Sequence, residues 1–169
     1  MTLEERAREF ATKAHDGQKR KYTGAPYIEH PAAVVEIVRS VPHTEAMLAG
    51  AWLHDVVEDC GVSRAEIAHH FGAEVALIVD ALTDVSTRDD GNRKARKALD
   101  LLHSAQAKPC AKTIKLADLI DNTSSIVEHD PEFAQVYLRE KLALLEVLKE
   151  GDPILWQRAY DLAKREAAV

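Results

Sequence analysis

The sequence predicts an all-α protein, and three observations carry that reading. Apolar residues recur at the spacing of a helix face through nearly the whole chain. No segment sustains the period-two alternation of a half-buried strand. Hydrophobic residues make up 46% of the 169 positions and charged residues 30%, against seven glycines and six prolines, which is the profile of a helix-rich globular chain. The length suffices for one substantial core, so a single domain over residues 1–169 is expected.

The elements follow in order. A first helix is predicted from about Leu3 to Asp16, where Gly17 stops it. A polar stretch, Gly17 to Tyr27, comes next. Pro31 is suited to open a helix over about 31–40, because proline at a first helical position loses no needed N–H donor; His30 is left at that helix's N-terminal edge. A third helix, over about 44–59, starts after Thr44 and stops at Gly61. Ser63 caps a short helix to about His70, with Glu66 completing a capping box, and Gly72 precedes a helix over about 73–82. Thr83 to Asn92 reads as loop. Further helices are predicted over about 93–106, 112–127, 131–149 and 153–167, with Pro109, Pro131 and Pro153 at the boundaries. The cations of the first of these (Arg93, Lys94, Arg96, Lys97) read as a solvated face.

A formal net charge of −6 argues against broad nucleic-acid binding, which needs a basic face. No apolar run reaches the roughly 18–20 residues of a membrane helix, and the N-terminus MTLEERAREF is too charged for a signal peptide, so no membrane role and a cytoplasmic address are expected. Cys60 and Cys110 lie far apart with no C-x-x-C partner, which suggests neither a zinc knuckle nor a disulfide framework; each reads as a small buried hydrophobe.

The chemistry gathers around HDVVED. At about 100° per residue from His54, Asp55 falls at about 100°, Glu58 at about 40° and Asp59 at about 140°, so all four polar groups share one face of the expected helix. Met47, Leu48, Ala51 and Trp52 fall on that face too, which points it inward. Burying an imidazole and three carboxylates is costly unless something compensates their charge. A divalent cation would do so; a salt-bridge network with Lys or Arg of neighbouring helices is the structural alternative. In KTIKLADLIDNTSS, Asp118 and Asn122 are four residues apart on one face of an otherwise apolar helix, with Asp121 and Ser125 within a turn. His30, His54, Asp55 and Asp118 then make a mixed N/O donor set that suits Mn²⁺, Fe²⁺, Co²⁺ or Zn²⁺, among which spacing cannot choose.

The order His30, His54-Asp55, Asp118 resembles the H…HD…D signature of HD-domain metal-dependent phosphohydrolases. Closer still, AHDGQKRKYTGAPYIEHP (14–31), HDVVED (54–59) and KLAD followed by Asn122 resemble the hydrolase domain of the RelA/SpoT family, and the length resembles that of its small stand-alone alarmone hydrolases. The matched blocks run through about residues 7–125, leaving C-terminal helices at about 131–167.

The resemblance implies an HD-type helical bundle around a buried metal site and an Mn²⁺-dependent enzyme. Its reaction would remove the 3′-pyrophosphate from guanosine tetra- or pentaphosphate, (p)ppGpp, releasing GDP or GTP. It implies that His30, His54, Asp55 and Asp118 hold the metal, and that Glu58 and Asp59 orient and deprotonate the attacking water. Arg20 and Lys21 would lie against the guanine base and neighbouring phosphates, Asn122 near the sugar, and Ser125 where its hydroxyl can touch the ligand. The expected partner is thus a small-molecule nucleotide, with a homo-oligomer left open.

Three departures adjoin the nucleotide-side residues. Leu119 stands where the family pattern has a basic residue and Asp121 where it has His or Tyr, and one extra residue separates Lys21 from Gly24. Alternative readings are an HD-domain phosphatase or phosphodiesterase for another nucleotide, such as NADPH or a nucleoside monophosphate, and a non-catalytic nucleotide-binding module.

Overall fold

The computed structural model describes residues 1–167, and within them the all-α expectation holds: the only pairing of extended backbone is an isolated bridge between Lys19 and Pro26. The chain divides into two compact units, Met1–Thr83 and a second that begins at Asp84. No helix among the described residues is long and apolar enough to cross a membrane.

The first unit is organised by the helix Glu45–Leu53, in which every residue from Ala46 to Leu53 is buried. It is the third of six: α1 (Leu3–Ala14), α2 (Glu29–Arg39), α3 (Glu45–Leu53), α4 (Val56–Cys60), α5 (Arg64–Phe71) and α6 (Ala73–Leu82). A helix apolar on all sides needs neighbours on all sides, and α3 packs against α1, α2 and α6. Leu53, Val34, Val35, Val38 and Ile67 lose essentially all solvent contact there. Glu4 of α1 ties the three layers at their rim, accepting from Trp52 Nε1 of α3 at 3.3 Å and pairing with the Arg39 guanidinium of α2. Capping boxes on Thr2–Glu5 and Ser63–Glu66 satisfy the first-turn N–H groups of α1 and α5.

The expected continuous helix over 44–59 is corrected. It ends at Leu53, His54 and Asp55 form a turn, and α4 restarts at Val56. The cause is local: His54 Nδ1 lies 2.7 Å from the Ala51 carbonyl, the acceptor a continuous helix would offer to the Asp55 N–H. Asp55 instead begins the next helix, its carbonyl taking the Asp59 N–H at 2.9 Å. Smaller corrections are of the same kind. α1 stops at Ala14 with His15 as its cap, and Cys60 and Cys110 are both half-buried rather than buried.

The second unit contains α7 (Arg93–Ala105), α8 (Pro109–His129), α9 (Pro131–Val147) and α10 (Pro153–Ala167). Pro109 does not precede α8 at a distance, as the sequence reading had it; it is the first helical residue, where its missing N–H costs nothing. α8 packs against α9 and α10, and α7 against α9, where Arg93 and Glu140 form a two-pronged ion pair at 2.7 and 2.9 Å. The stretch Thr83–Asn92 is mostly irregular, with one 3₁₀ turn at Arg88–Asp90. It is held by Asp100, which accepts from the N–H groups of Val85 and Ser86 and the Ser86 hydroxyl.

Gly151, between α9 and α10, is buried against α8. A Cβ there would sit 2.8 Å from Leu116 Cδ1 and 3.1 Å from the backbone of both Lys112 and Thr113. Backbone cannot yield as a side-chain tip can, so Gly151→Ala is expected to lower stability by roughly 1–3 kcal/mol. Thermal unfolding should show a Tm about 2–4 °C lower for each kcal/mol lost, and an unchanged Tm would refute the packing argument.

Candidate metal centre

Three of the predicted ligands converge in the first unit. His30 enters from the first turn of α2, and His54 and Asp55 from the turn between α3 and α4. Their donor atoms all lie within 4.8 Å of one another. Asp55 Oδ2 is 3.0 Å from His54 Nε2 and 3.7 Å from His30 Nε2, and the two imidazoles meet edge to face at 5.2 Å. Both histidines are almost wholly buried, 2% and 3% exposed, whereas the Asp55 side chain keeps 17% of its surface open.

The His54 tautomer follows from its surroundings. A backbone carbonyl only accepts, so the Nδ1 that faces Ala51 O at 2.7 Å carries hydrogen, which in a neutral imidazole leaves the lone pair on Nε2. That lone pair then faces a carboxylate oxygen at 3.0 Å, an apposition of two acceptors that repels unless a proton or a cation lies between them. A metal satisfies both and also neutralises the half-buried carboxylate; the carbonyl that fixes Nδ1–H is the outer partner that metal-bound histidines usually have. His30, His54 and Asp55 therefore fit a divalent ion in donor type, burial and orientation.

Glu58 and Asp59 follow on α4, both exposed at the residue level. The Asp59 carboxyl nonetheless accepts from Gln18 Nε2 at 3.3 Å and lies near the Tyr27 hydroxyl. Partial burial of that carboxyl, with the negative Asp55 nearby, pushes Asp59 above the ordinary carboxylate range. Tyr27 also donates to Asp55 Oδ2 at 2.5 Å.

Arg20 and Lys21 occupy the segment between α1 and α2, which the structure closes into a tight hairpin. Arg20 N–H donates to the Ala25 carbonyl at 2.8 Å, Gly24 N–H to the Arg20 carbonyl at 3.0 Å and Tyr27 N–H to the Gln18 carbonyl at 2.9 Å. Gly24 takes φ of +71°, a left-handed turn suited to glycine. Arg20 is half-buried and Lys21 exposed, its ammonium 5.2 Å above the Tyr22 ring.

Asp118, Asn122 and Ser125 lie on α8 of the second unit, all half-buried. The one-face expectation for the first two holds: Asn122 Nδ2 donates to Asp118 Oδ1 at 2.9 Å, and Lys115 Nζ approaches Asp118 Oδ2 at 3.8 Å. Leu119, one of the departures from the family pattern, is only 3% exposed and belongs to the core of this unit. Sequence reasoning gave no role to Lys141 of α9, whose ammonium lies 4.9 Å from the Tyr137 ring. Burial, reinforced by Lys115 and partly offset by Asp118, pushes it down to about 8.

Sequence reasoning also gave no site role to Gln18 and Tyr27, whose side chains touch the carboxylates, and reads His15, which contacts both of them, as a structural hydrogen-bonder. The available signal was their place inside the blocks A-H-x-G-Q and Y-I-x-H-P, which flank the hairpin on both sides.

Comparison with known proteins identifies the family and the fold. The profile of the HD-domain family matches residues 7–149. The human protein MESH1, named a guanosine-3′,5′-bis(diphosphate) 3′-pyrophosphohydrolase, is 36% identical over 129 residues, covering 75% of this chain and 70% of that protein. A Synechocystis protein named a probable enzyme of the same activity is 36% identical over 134 residues, 78% of this chain but 18% of its own length. The chain thus spans most of its short relatives and a small part of its long ones. A solved structure described as a metazoan ortholog of SpoT that hydrolyzes ppGpp superposes with a TM-score of 0.88 at 26% identity, covering 100% of this chain and 98% of that one.

The raised Asp59 sets a pH dependence. The folded protein holds a proton on Asp59 where the unfolded chain, near 3.8, has already lost it, so this group's contribution to stability is lost as pH rises through the folded value. In metal-free protein, Asp59→Asn is expected to unfold at higher urea than wild type near neutral pH, with the gap narrowing as pH falls toward 3.8. A gap that stays constant across the pH series would refute the assignment.

Proposed function

Because the chain belongs to the HD-domain family of metal-dependent phosphohydrolases, and within it to the RelA/SpoT type, we propose that it is a guanosine-3′,5′-bis(diphosphate) 3′-pyrophosphohydrolase, converting (p)ppGpp to GDP or GTP and pyrophosphate. The carrying observation is the buried His30–His54–Asp55 cluster, with a lone pair and a carboxylate oxygen opposed at 3.0 Å, beside Glu58 and Asp59 one turn further on. The family profile runs through both compact units, which supports reading them as one hydrolase domain.

HD domains bind a divalent metal, and His30, His54 and Asp55 would hold it. Asp118 is assigned to the same ligand set on the order of the sequence motif. We take the ion to be Mn²⁺, another first-row divalent ion serving the same donors. When bound, such an ion acidifies a water and stabilises charge on the phosphorus being attacked.

The protein groups do the rest. Glu58 and Asp59 orient the water and accept its proton as its oxygen attacks the phosphorus on the 3′ oxygen; that P–O bond breaks, and the proton balance closes with a 3′-hydroxyl and free pyrophosphate. The raised Asp59 favours proton acceptance over the ordinary exposed carboxylate. Arg20 and Lys21, on a hairpin adjoining His30, supply positive charge for the polyphosphate in a chain that is acidic overall. Asn122 and Ser125 are assigned to the nucleotide side. The substrate is a small molecule, the setting cytoplasmic, and neither nucleic acid nor membrane enters this reading.

Purified protein with Mn²⁺ is expected to release pyrophosphate from ppGpp, to lose that activity with a chelator, and to lose it in the His54→Ala, Asp55→Ala double variant. Glu58→Gln is expected to lower kcat by about 10²–10⁴, the usual worth of a positioned acid or base. Release no greater than that of the double variant would sink the proposal. Orthophosphate in place of pyrophosphate would transfer it to a different nucleotide ester.

A further inference from the structure

His15 is the most deeply buried polar residue of the segment that joins α1 to the hairpin, 2% exposed, and the mechanism above does not use it. Its ring makes two different kinds of contact. Nδ1 lies 2.8 Å from Gln18 Oε1, and the ring face packs on Tyr27 with centroids 4.8 Å apart and planes inclined by 39°. Each of these neighbours sends its hydrogen bond to a different functional carboxylate: Gln18 Nε2 donates to Asp59 Oδ2, and the single proton of the Tyr27 hydroxyl goes to Asp55 Oδ2.

The polarity of the chain is determined. An ionised carboxylate only accepts, so the Gln18 NH₂ must face Asp59 and its Oε1 must face His15. Oε1 also only accepts, so the proton of His15 is on Nδ1. Cys60 Sγ, 3.3 Å from the same nitrogen, shares that proton as a weak acceptor. The Nε2 lone pair is left buried without a hydrogen-bond partner, a deficit that pure packing would remove by placing an apolar ring there.

We infer that His15 is a positioning residue that braces both carboxylates by separate routes, Asp59 through the Gln18 amide and Asp55 through the stacked Tyr27 ring. The inference rests on the proposed roles of Asp55 as ligand and Asp59 as proton acceptor. One buried imidazole thereby sets the spacing between the metal-holding and proton-accepting groups. Its two routes use different properties of the ring, a donor and a face, and so can be removed one at a time.

His15→Phe keeps the face and removes the donor. It is expected to lower kcat about tenfold or more while leaving KM and Mn²⁺ affinity, read from the Mn²⁺ dependence of Tm, within twofold of wild type. His15→Asn places an amide nitrogen where Nδ1 stands and removes the face. It should retain kcat at saturating Mn²⁺ and weaken Mn²⁺ affinity, in the same direction as Tyr27→Phe, for which a loss of about 10–100-fold is expected. Gln18→Met should reproduce His15→Phe.

Two readouts need no substrate. The Mn²⁺ titration is one; the other is the Gln18 side-chain NH₂ in ¹⁵N NMR, expected to be shifted and slow to exchange in wild type and to revert toward an exposed amide in His15→Phe. If wild type releases no pyrophosphate yet both readouts separate the two variants as described, the substrate reading fails and the brace stands. If the variants change kcat and Mn²⁺ affinity together, change neither, or leave the Gln18 amide unaltered, the brace is overturned.

Discussion

The contact between His54 Nδ1 and the Ala51 carbonyl is the constraint on which the site depends. A helix as apolar as α3 would otherwise run on through HDVVED, and its buried surface on all sides gives it every reason to do so. By taking the acceptor of the next helical hydrogen bond, the imidazole both ends the helix and fixes its own tautomer. The first effect frees Asp55 to turn back so that its carboxylate meets His30. The second presents a lone pair, rather than an N–H, to the shared centre. Local backbone chemistry and the electronic requirement of a metal ligand are here the same hydrogen bond.

This also explains what the sequence could and could not disclose. Helices show in the spacing of apolar residues because that spacing is a property of neighbours along the chain. Caps at Thr44 and Ser63 show because they use side chains one turn from their targets. The pair His54–Asp55 was legible as a buried polar pair, although the continuous wheel used to place it does not exist in the folded chain. The break was hidden because histidine has no strong preference for ending helices; only its side chain's choice of the Ala51 carbonyl does so. Gln18 and Tyr27 were hidden for another reason. Gln18 reaches a carboxylate 41 positions away and Tyr27 one 28 positions away, and no local pattern encodes such pairings.

The second unit shows a complementary economy. Its last three helices begin at Pro109, Pro131 and Pro153, where proline's fixed backbone angle and missing donor are assets, and Asp130 and Asp152 close the N-termini of α9 and α10. Lys112, with a side chain only 2% exposed, runs through the core of that unit to Glu150, itself 70% exposed, so a buried ammonium is neutralised by a carboxylate at the surface. Leu119 follows the same logic. A position read from the motif as nucleotide-side is occupied by a residue that serves packing, and its departure from the family pattern is a change in core chemistry.

The hairpin that carries Arg20 and Lys21 has a kinetic consequence. A floppy basic loop must be immobilised when a polyanion arrives, and that loss of freedom subtracts from affinity. Here the Lys19–Pro26 bridge, the Arg20–Ala25 bond and the left-handed Gly24 have already closed the loop during folding. Whatever multiply charged anion meets these two cations meets them in a shape that needs little rearrangement, so capture can be governed by diffusion and ionic strength rather than by the folding of a lid.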